Sequence, residues 1–216
     1  MKTNRRVFFQ KGAILGAGLT IGNLGLFAKN KENPAQNASD DIFDAIKNRR
    51  SVRKFKSTPV PKEHLTKILE AANCAPTPGN RQAWKFLVIQ KRETLDQIKE
   101  ECIKRSGERS RQYFTDYLSA PVYVVVLADT KTKNPANDII GGALAAENLM
   151  LAARALGYGT VYCANSISEE VTKQVLNIPD DYKRLCITPI GVPAEWPKTP
   201  KKKSLKEVVL HEKFKL

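Results

Sequence analysis

Three arginines and a serine fall within five residues, Arg49-Arg50-Ser51-Val52-Arg53, with no acid between them. Guanidinium groups carry planar forks of N–H donors that match the paired oxygens of a phosphate, and a serine hydroxyl adds another donor. The grouping suits recognition of an anion. It also falls where a helix ends, and cations there complement the helix dipole without binding anything.

Other candidates are less self-sufficient. Pro76-Thr77-Pro78-Gly79-Asn80 is a rigid turn that presents the amide of Asn80, with Gln82 two residues on. Gly157 and Gly159 lack the spacing of a dinucleotide fingerprint and instead follow a helical stretch as helix-ending glycines do. Lys201-Lys202-Lys203 is a second basic cluster, and such runs also occur as plain solvated tails. The four cysteines, Cys74, Cys102, Cys163 and Cys186, are far apart and form no C-x-x-C pair. That argues against a metal ligand set or a redox dithiol. Cys163 and Cys186 lie in apolar runs, where a thiol is expected to be buried and inert. His64 and His211 sit among charged residues of helical segments and are expected to face solvent. No nucleophile with an adjacent base emerges, so no side chain is assigned a catalytic role.

Positioning these groups requires a framework, and the apolar periodicity supplies one. Ser39-Asp40-Asp41 caps a first helix carrying Ile42, Phe43, Ala45 and Ile46. Pro61 opens a second with Leu65, Ile68, Leu69 and Ala72, ending before Ala75. Residues 84–90 read as a strand, and a charged helix follows over 95–104. Residues 121–128 (PVYVVVLA) form a nearly continuous apolar run, as in a central strand covered on both faces. Residues 138–156 read as a long, Ala-rich buried helix, 159–163 as a short strand and Ser168-Glu169-Glu170 as a helix start. A last strand is expected over 185–192. Interleaved strands and helices place the chain in the α+β or α/β class.

Four blocks, in this order and spacing, resemble the nitroreductase family of flavoproteins. They are Arg49-Arg50-Ser51-Val52-Arg53-Lys54-Phe55, the run from Ala75 through Asn80 and Gln82 to Phe86, and the helix from Ala143 to Ala153 continuing into Leu156-Gly157-Tyr158-Gly159-Thr160. The fourth is Ile190-Gly191-Val192-Pro193 with the basic segment behind it. The blocks span most of the chain from about residue 40. Ala83 departs from the proline that most relatives carry before the tryptophan.

The resemblance implies a three-layer α+β fold with a central mixed sheet flanked by helices. It implies FMN as cofactor, with the phosphate on Arg49, Arg50, Ser51 and Arg53, and with Lys202 reaching it from the C-terminal segment. Asn80 would hydrogen-bond the flavin, and Gln82 would lie near the ribityl chain. Val161-Tyr162-Cys163 would run past the isoalloxazine and offer backbone amides to N5, although residue identity alone favours the core for the side chains of Tyr162 and Cys163. Members of the family are homodimers with FMN at the subunit interface, each site drawing on both chains. The implied reaction is ping-pong, with NAD(P)H or another donor giving hydride and a small acceptor, such as a nitro or quinone compound, taking it. Dehalogenating, enoate-reducing and flavin-fragmenting branches share the same blocks.

Composition fits one globular domain: 216 residues, 42% hydrophobic and 27% charged. The net charge is +14, of which residues 1–30 supply five units with no acid, leaving +9 for the rest. A surface that basic could attract anionic lipid or nucleic acid, and a basic binding module is the rival to an enzyme. Much of the charge, however, is lysine beside acid, as in Lys62-Glu63 and Lys99-Glu100-Glu101. That is the pattern of a solvated face, so no nucleic-acid partner is expected.

Residues 1–30 read as a secretory signal. Arg5-Arg6-Val7-Phe8-Phe9 is similar to a twin-arginine export motif, and the stretch from Gly12 to Ala28 is mildly apolar and broken by five glycines. It is a poor permanent span, though an uncleaved anchor is the alternative. Residues 31–38 form a polar linker, leaving 39–216 as the FMN domain. The expectation is an exported, periplasmic enzyme delivered folded by the export machinery. NAD(P)H is scarce there, so the electron donor is expected to be a membrane or protein partner.

Overall fold

The computed structural model describes residues 42–214. The signal-like segment, the linker and the Ser39-Asp40-Asp41 cap lie outside the described residues. The described chain runs α1 (residues 42–48), α2 (Lys62–Asn73), β1 (Trp84–Ile89), α3 (Arg92–Ser106), α4 (Arg111–Tyr117), β2 (Val122–Asp129), α5 (Pro135–Ala155), α6 (Glu169–Leu176), β3 (Tyr182–Ile190) and α7 (Leu205–Val208). A short 3-10 turn, Pro78–Asn80, precedes β1.

The valine-rich run forms β2, which lies between β1 and β3 and pairs antiparallel with both. Successive strand side chains point to opposite faces, so a strand apolar at every position must be covered twice. Tyr123, Val125 and Leu127 pack with Leu95, Ile98, Phe114, Tyr117 and Val171 of α3, α4 and α6. Val122, Val124, Val126 and Ala128 pack with Leu65 and Ile68 of α2 and with Ala146, Leu149 and Met150 of α5. The result is three layers, as the resemblance implies. The ladders of the three named strands are antiparallel, and the parallel pairing is confined to an isolated bridge between Ser51 and Thr160.

Helix α5 starts with Pro135 at its first turn, where proline loses no hydrogen bond, and the Asn134 side chain accepts from the Asn137 amide at 3.4 Å. Gly157, at φ 84°, turns the chain out of the helix in a conformation that favours glycine. Gly142 lets α5 close on the sheet, since a methyl group there would overlap Leu185. Leu185 is itself the extra residue of a β-bulge: Val126 pairs with Cys186, whereas Leu127 pairs with Arg184.

Residues 159–163 form no strand. They make isolated bridges, Gly159 to Gly191 and Cys163 to Ile187, because single hydrogen bonds there serve as stitches between segments. Helix α4 was not expected, as its seven residues show too short an apolar period to stand out.

Candidate anion-binding cleft

The segment Arg49–Phe55 is held as an extended strip by three main-chain contacts. The Val52 amide donates to Thr160 O at 2.9 Å, the Lys56 amide to Val192 O at 2.9 Å, and the Ala194 amide to Lys54 O at 3.0 Å. This closeness needs Gly159, where a Cβ would fall 2.7 Å from Val52 Cγ2 and 2.9 Å from Pro193 Cγ. Behind Pro193 the chain continues to Trp196, whose ring lies 4.2 Å beneath the Arg154 guanidinium, a cation–π contact that anchors the C-terminal segment to α5. Residues about 150 positions apart in the sequence thereby meet.

They enclose a cleft of about 300 Å³ lined by Lys47, Arg49, Arg50, Ser51, Arg53, Lys198 and Lys202, with Ile46, Pro197 and Pro200 as its apolar wall. No acid lines it. Glu147 of α5 approaches Arg49 Nε at 3.5 Å from outside the lining. Arg50 donates to the carbonyls of Lys47 and Arg49, each at 2.7 Å, and to the Thr199 hydroxyl. Arg53 donates to Ser51 O at 3.2 Å. Such contacts orient guanidinium groups without neutralising them. Arg49, Arg50, Ser51, Arg53 and Lys202 are thus brought together, whereas Lys47, Lys198 and Thr199 went unrecognised. The signal for Lys198 lay in the basic run around Lys202, and nothing in the sequence marked Thr199.

Asn80 and Gln82 do not line this cleft. Both adopt left-handed backbone, at φ 52° and 49°, in a turn closed by the Asn80 amide on Thr77 O (3.0 Å) and the Gln82 amide on Thr77 Oγ1 (3.1 Å). Asparagine tolerates that conformation and glutamine does so less readily, so the turn holds some strain. Gln82 instead borders a separate depression with Arg81, Trp84, Asp129 and Tyr182. Beside it, the buried carboxylate of Asp138 accepts from Arg81 at 2.6 and 3.2 Å and from the Thr132 hydroxyl. The Thr132 bond, then Arg81, hold this carboxyl below the ordinary range against the opposing effect of burial.

Val161 and Cys163 are buried in the core on the α3/α4/α6 side of the sheet, so only their backbones are free to meet a ligand. Tyr162, which sequence identity favoured as core, is 39% exposed. Partial burial raises its hydroxyl pKa, with the nearby Arg184 charge opposing. Burial pushes the Cys186 thiol up to about 12 and raises that of Cys102, so neither is a reactive thiolate at neutral pH. His64 is not solvated as expected. It is half-buried, its Nδ1 2.8 Å from the Tyr158 hydroxyl, because α2 packs across the turn that ends α5. His211 is exposed.

Large apolar side chains remain exposed on three elements: Ile42, Phe43 and Ile46 of α1, Ile140 and Leu144 of α5, and Leu205, Val208, Leu210 and Phe214 around α7. Ile46 also borders the cationic cleft.

The model of the nitroreductase family matches residues 46–192, more than half of the chain. The chain belongs to the nitroreductase family. It is 34% identical over 163 residues, 74% of this chain and 81% of the relative, to a Methanothermobacter thermautotrophicus protein described as an NADH dehydrogenase/NAD(P)H nitroreductase. An iodotyrosine deiodinase of Thermotoga neapolitana is 28% identical over 172 residues, 70% of this chain and 88% of the relative. Among solved structures, an FMN-dependent nitroreductase from Clostridium difficile superposes with a TM-score of 0.64 at 29% identity, covering 80% of this chain and 99% of that one. The family match takes in the strip at Arg49–Phe55 and all three named strands.

Proposed function

We propose that this nitroreductase-family protein is an FMN-dependent oxidoreductase acting on a small electrophilic acceptor such as a nitro or quinone compound. The observation that carries the reading is the acid-free cleft joining Arg49, Arg50, Ser51 and Arg53 to Lys198 and Lys202. A phosphate monoester carries up to two negative charges and three acceptor oxygens, and this donor set fits it. Arginine forks would take the oxygens in pairs while the lysines add point charge. When bound, FMN supplies the two-electron chemistry that joins a reduced nicotinamide donor to the acceptor. The protein's part is to hold the phosphate, orient the ring past residues 161–165 and limit water.

The exposed apolar faces support a homodimer as part of this reading. Ile140 and Leu144 lie one turn apart on α5, and the α1 face ends at Ile46 on the rim of the cleft. A second copy seated there would place the cleft at the interface. It would also explain why Asn80 and Gln82 lie outside the cleft of their own chain, since each could serve the partner's flavin. We extend the reading to export, on the strength of Arg5-Arg6 and the glycine-broken apolar stretch, and to a membrane or protein electron donor outside the cytoplasm.

The test is steady-state kinetics of the FMN-loaded chain with NADH or NADPH against nitroaromatic, quinone, enoate and iodotyrosine acceptors. Acceptor-dependent oxidation with parallel double-reciprocal lines is expected for nitro or quinone compounds. Turnover of iodotyrosine alone would move the protein to the deiodinating branch, and no turnover with any acceptor would count against the reading.

A further inference from the structure

Arg184 is 3% exposed, yet no carboxylate pairs with its guanidinium among the described residues. It donates instead to three carbonyls of one loop: Cys163 O at 3.4 Å, Ala164 O at 2.6 Å and Ile167 O at 3.0 Å. Its Nε has no partner. Glu169 lies close by but accepts from the Arg184 main-chain amide at 3.2 Å and from Lys183 at 2.6 Å. A buried cation held only by carbonyl dipoles is costly, and a lysine-like snorkel to water would be cheaper.

The bulge at Leu185 explains how the side chain reached this place. Strand period would put residue 184 on the same face as Cys186, toward α2 and α5. Because Leu185 is inserted, Arg184 stands opposite Leu127 and faces the α3/α4/α6 side, under the loop. Bulges that re-aim a side chain in this way concentrate beside functional sites.

The loop geometry has a further consequence. Every peptide described is trans, so each carbonyl and the following N–H point in opposite directions. With the Ala164 carbonyl drawn down to the guanidinium, and that of Cys163 shared between it and the Ile187 amide at 3.0 Å, the amides of Ala164 and Asn165 point away from Arg184. Neither donates to an acceptor among the described residues. The Val52 amide bond to Thr160 O sets the chain that leads into this loop beside the strip that carries the arginines.

We propose that Arg184 is a positioning residue. It fixes the loop Cys163–Ile167 from beneath, so that the amides of Ala164 and Asn165 form a donor pair for the electron-rich edge of a bound flavin. Its unneutralised charge then favours the reduced, anionic ring. The inference rests on the FMN reading and names backbone donors one or two residues beyond Val161–Cys163. Preorganised amides and a fixed cation act most strongly where water is excluded.

The test is the FMN midpoint potential of the holoprotein for wild type, Arg184→Lys and Arg184→Met. Removing the charge is expected to weaken binding of reduced relative to oxidised FMN about tenfold, a fall of about 30 mV for a two-electron couple. Arg184→Lys should keep most of the potential but, lacking the fork, should exchange the amide protons of Ala164 and Asn165 faster in the FMN-free chain. A flavin-loaded Arg184→Met protein with wild-type potential would overturn the inference alone. If that variant does not accumulate, Arg184→Lys decides, and unchanged exchange in the loop would overturn it. A wild-type chain that takes up no FMN would overturn the underlying reading as well.

Discussion

Two sets of arginines in this molecule show how the partner of a guanidinium separates scaffold from site. Arg81 and Arg184 are spent internally, one on the buried Asp138 carboxylate and the other on three loop carbonyls. Arg49, Arg50 and Arg53 line a cleft with Lys198 and Lys202; apart from the Arg49–Glu147 pair at 3.5 Å, their internal contacts are to neighbouring carbonyls and the Thr199 hydroxyl, so the cleft keeps an excess of positive charge. An arginine already committed to the fold can act on a ligand only through what it positions, as proposed for Arg184, whereas one lining the cleft is placed to bind directly. Chemistry and stability should therefore come apart when the two sets are altered.

The largest expected effect lies in the cleft. Replacing Arg49 and Arg53 together by alanine removes at least two charge-assisted hydrogen bonds to phosphate, roughly 3–5 kcal/mol. FMN affinity should fall by more than about a hundredfold while Tm stays within a few degrees, as read by flavin titration and calorimetry. An equal loss of Tm would erase the distinction between the sets.

Asp138→Ala is expected to do the reverse. It strands Arg81 and the Thr132 hydroxyl beside a buried gap, at a cost of about 2–3 kcal/mol because Arg81 is partly open to solvent. Denaturant unfolding should record that loss with FMN affinity little changed. The sign of its pH dependence is fixed by the lowered folded-state pKa. The stabilisation is complete above the unfolded carboxylate value, near pH 4, and disappears as pH falls through the lower folded value. Wild type and variant should therefore converge in acid.

The smallest effect is expected at an exposed pair. Arg105 meets Glu170 at 2.5 Å between α3 and α6, but both groups are open to water. Arg105→Ala should leave both Tm and FMN affinity unchanged within error, since exposed ion pairs contribute little. A clear loss in either would show that the division between scaffold and cleft is too simple.

Much of this division was readable before any coordinates. β2 announces itself because seven of its eight residues are apolar and six of those are large. The long helix α5 does so through its alanines and leucines, and the arginine strip through plain crowding of charge. What was hidden depends on contacts distant in sequence. Lys183-Arg184 falls before the strand expected over 185–192, and only the register slip at Leu185 reveals a buried cation. His64 sits in a charged helix, and its burial comes from Tyr158, 94 residues away. The bridges at 159–163 lack the length of a strand because they stitch the arginine strip and β3 to the loop, a role no periodicity encodes. Lys198 enters the cleft because Trp196 stacks on Arg154, again a tertiary accident of the tail's path.

The central claim is that the cleft lined by Arg49, Arg50, Ser51, Arg53 and Lys202 takes the phosphate of a flavin. Titration of the flavin-free protein with FMN and with riboflavin, which lacks only that phosphate, tests it most directly. FMN is expected to bind about a hundredfold or more tightly than riboflavin, with the gap narrowing as salt rises. Equal affinity for the two, or no binding of either, would contradict the account.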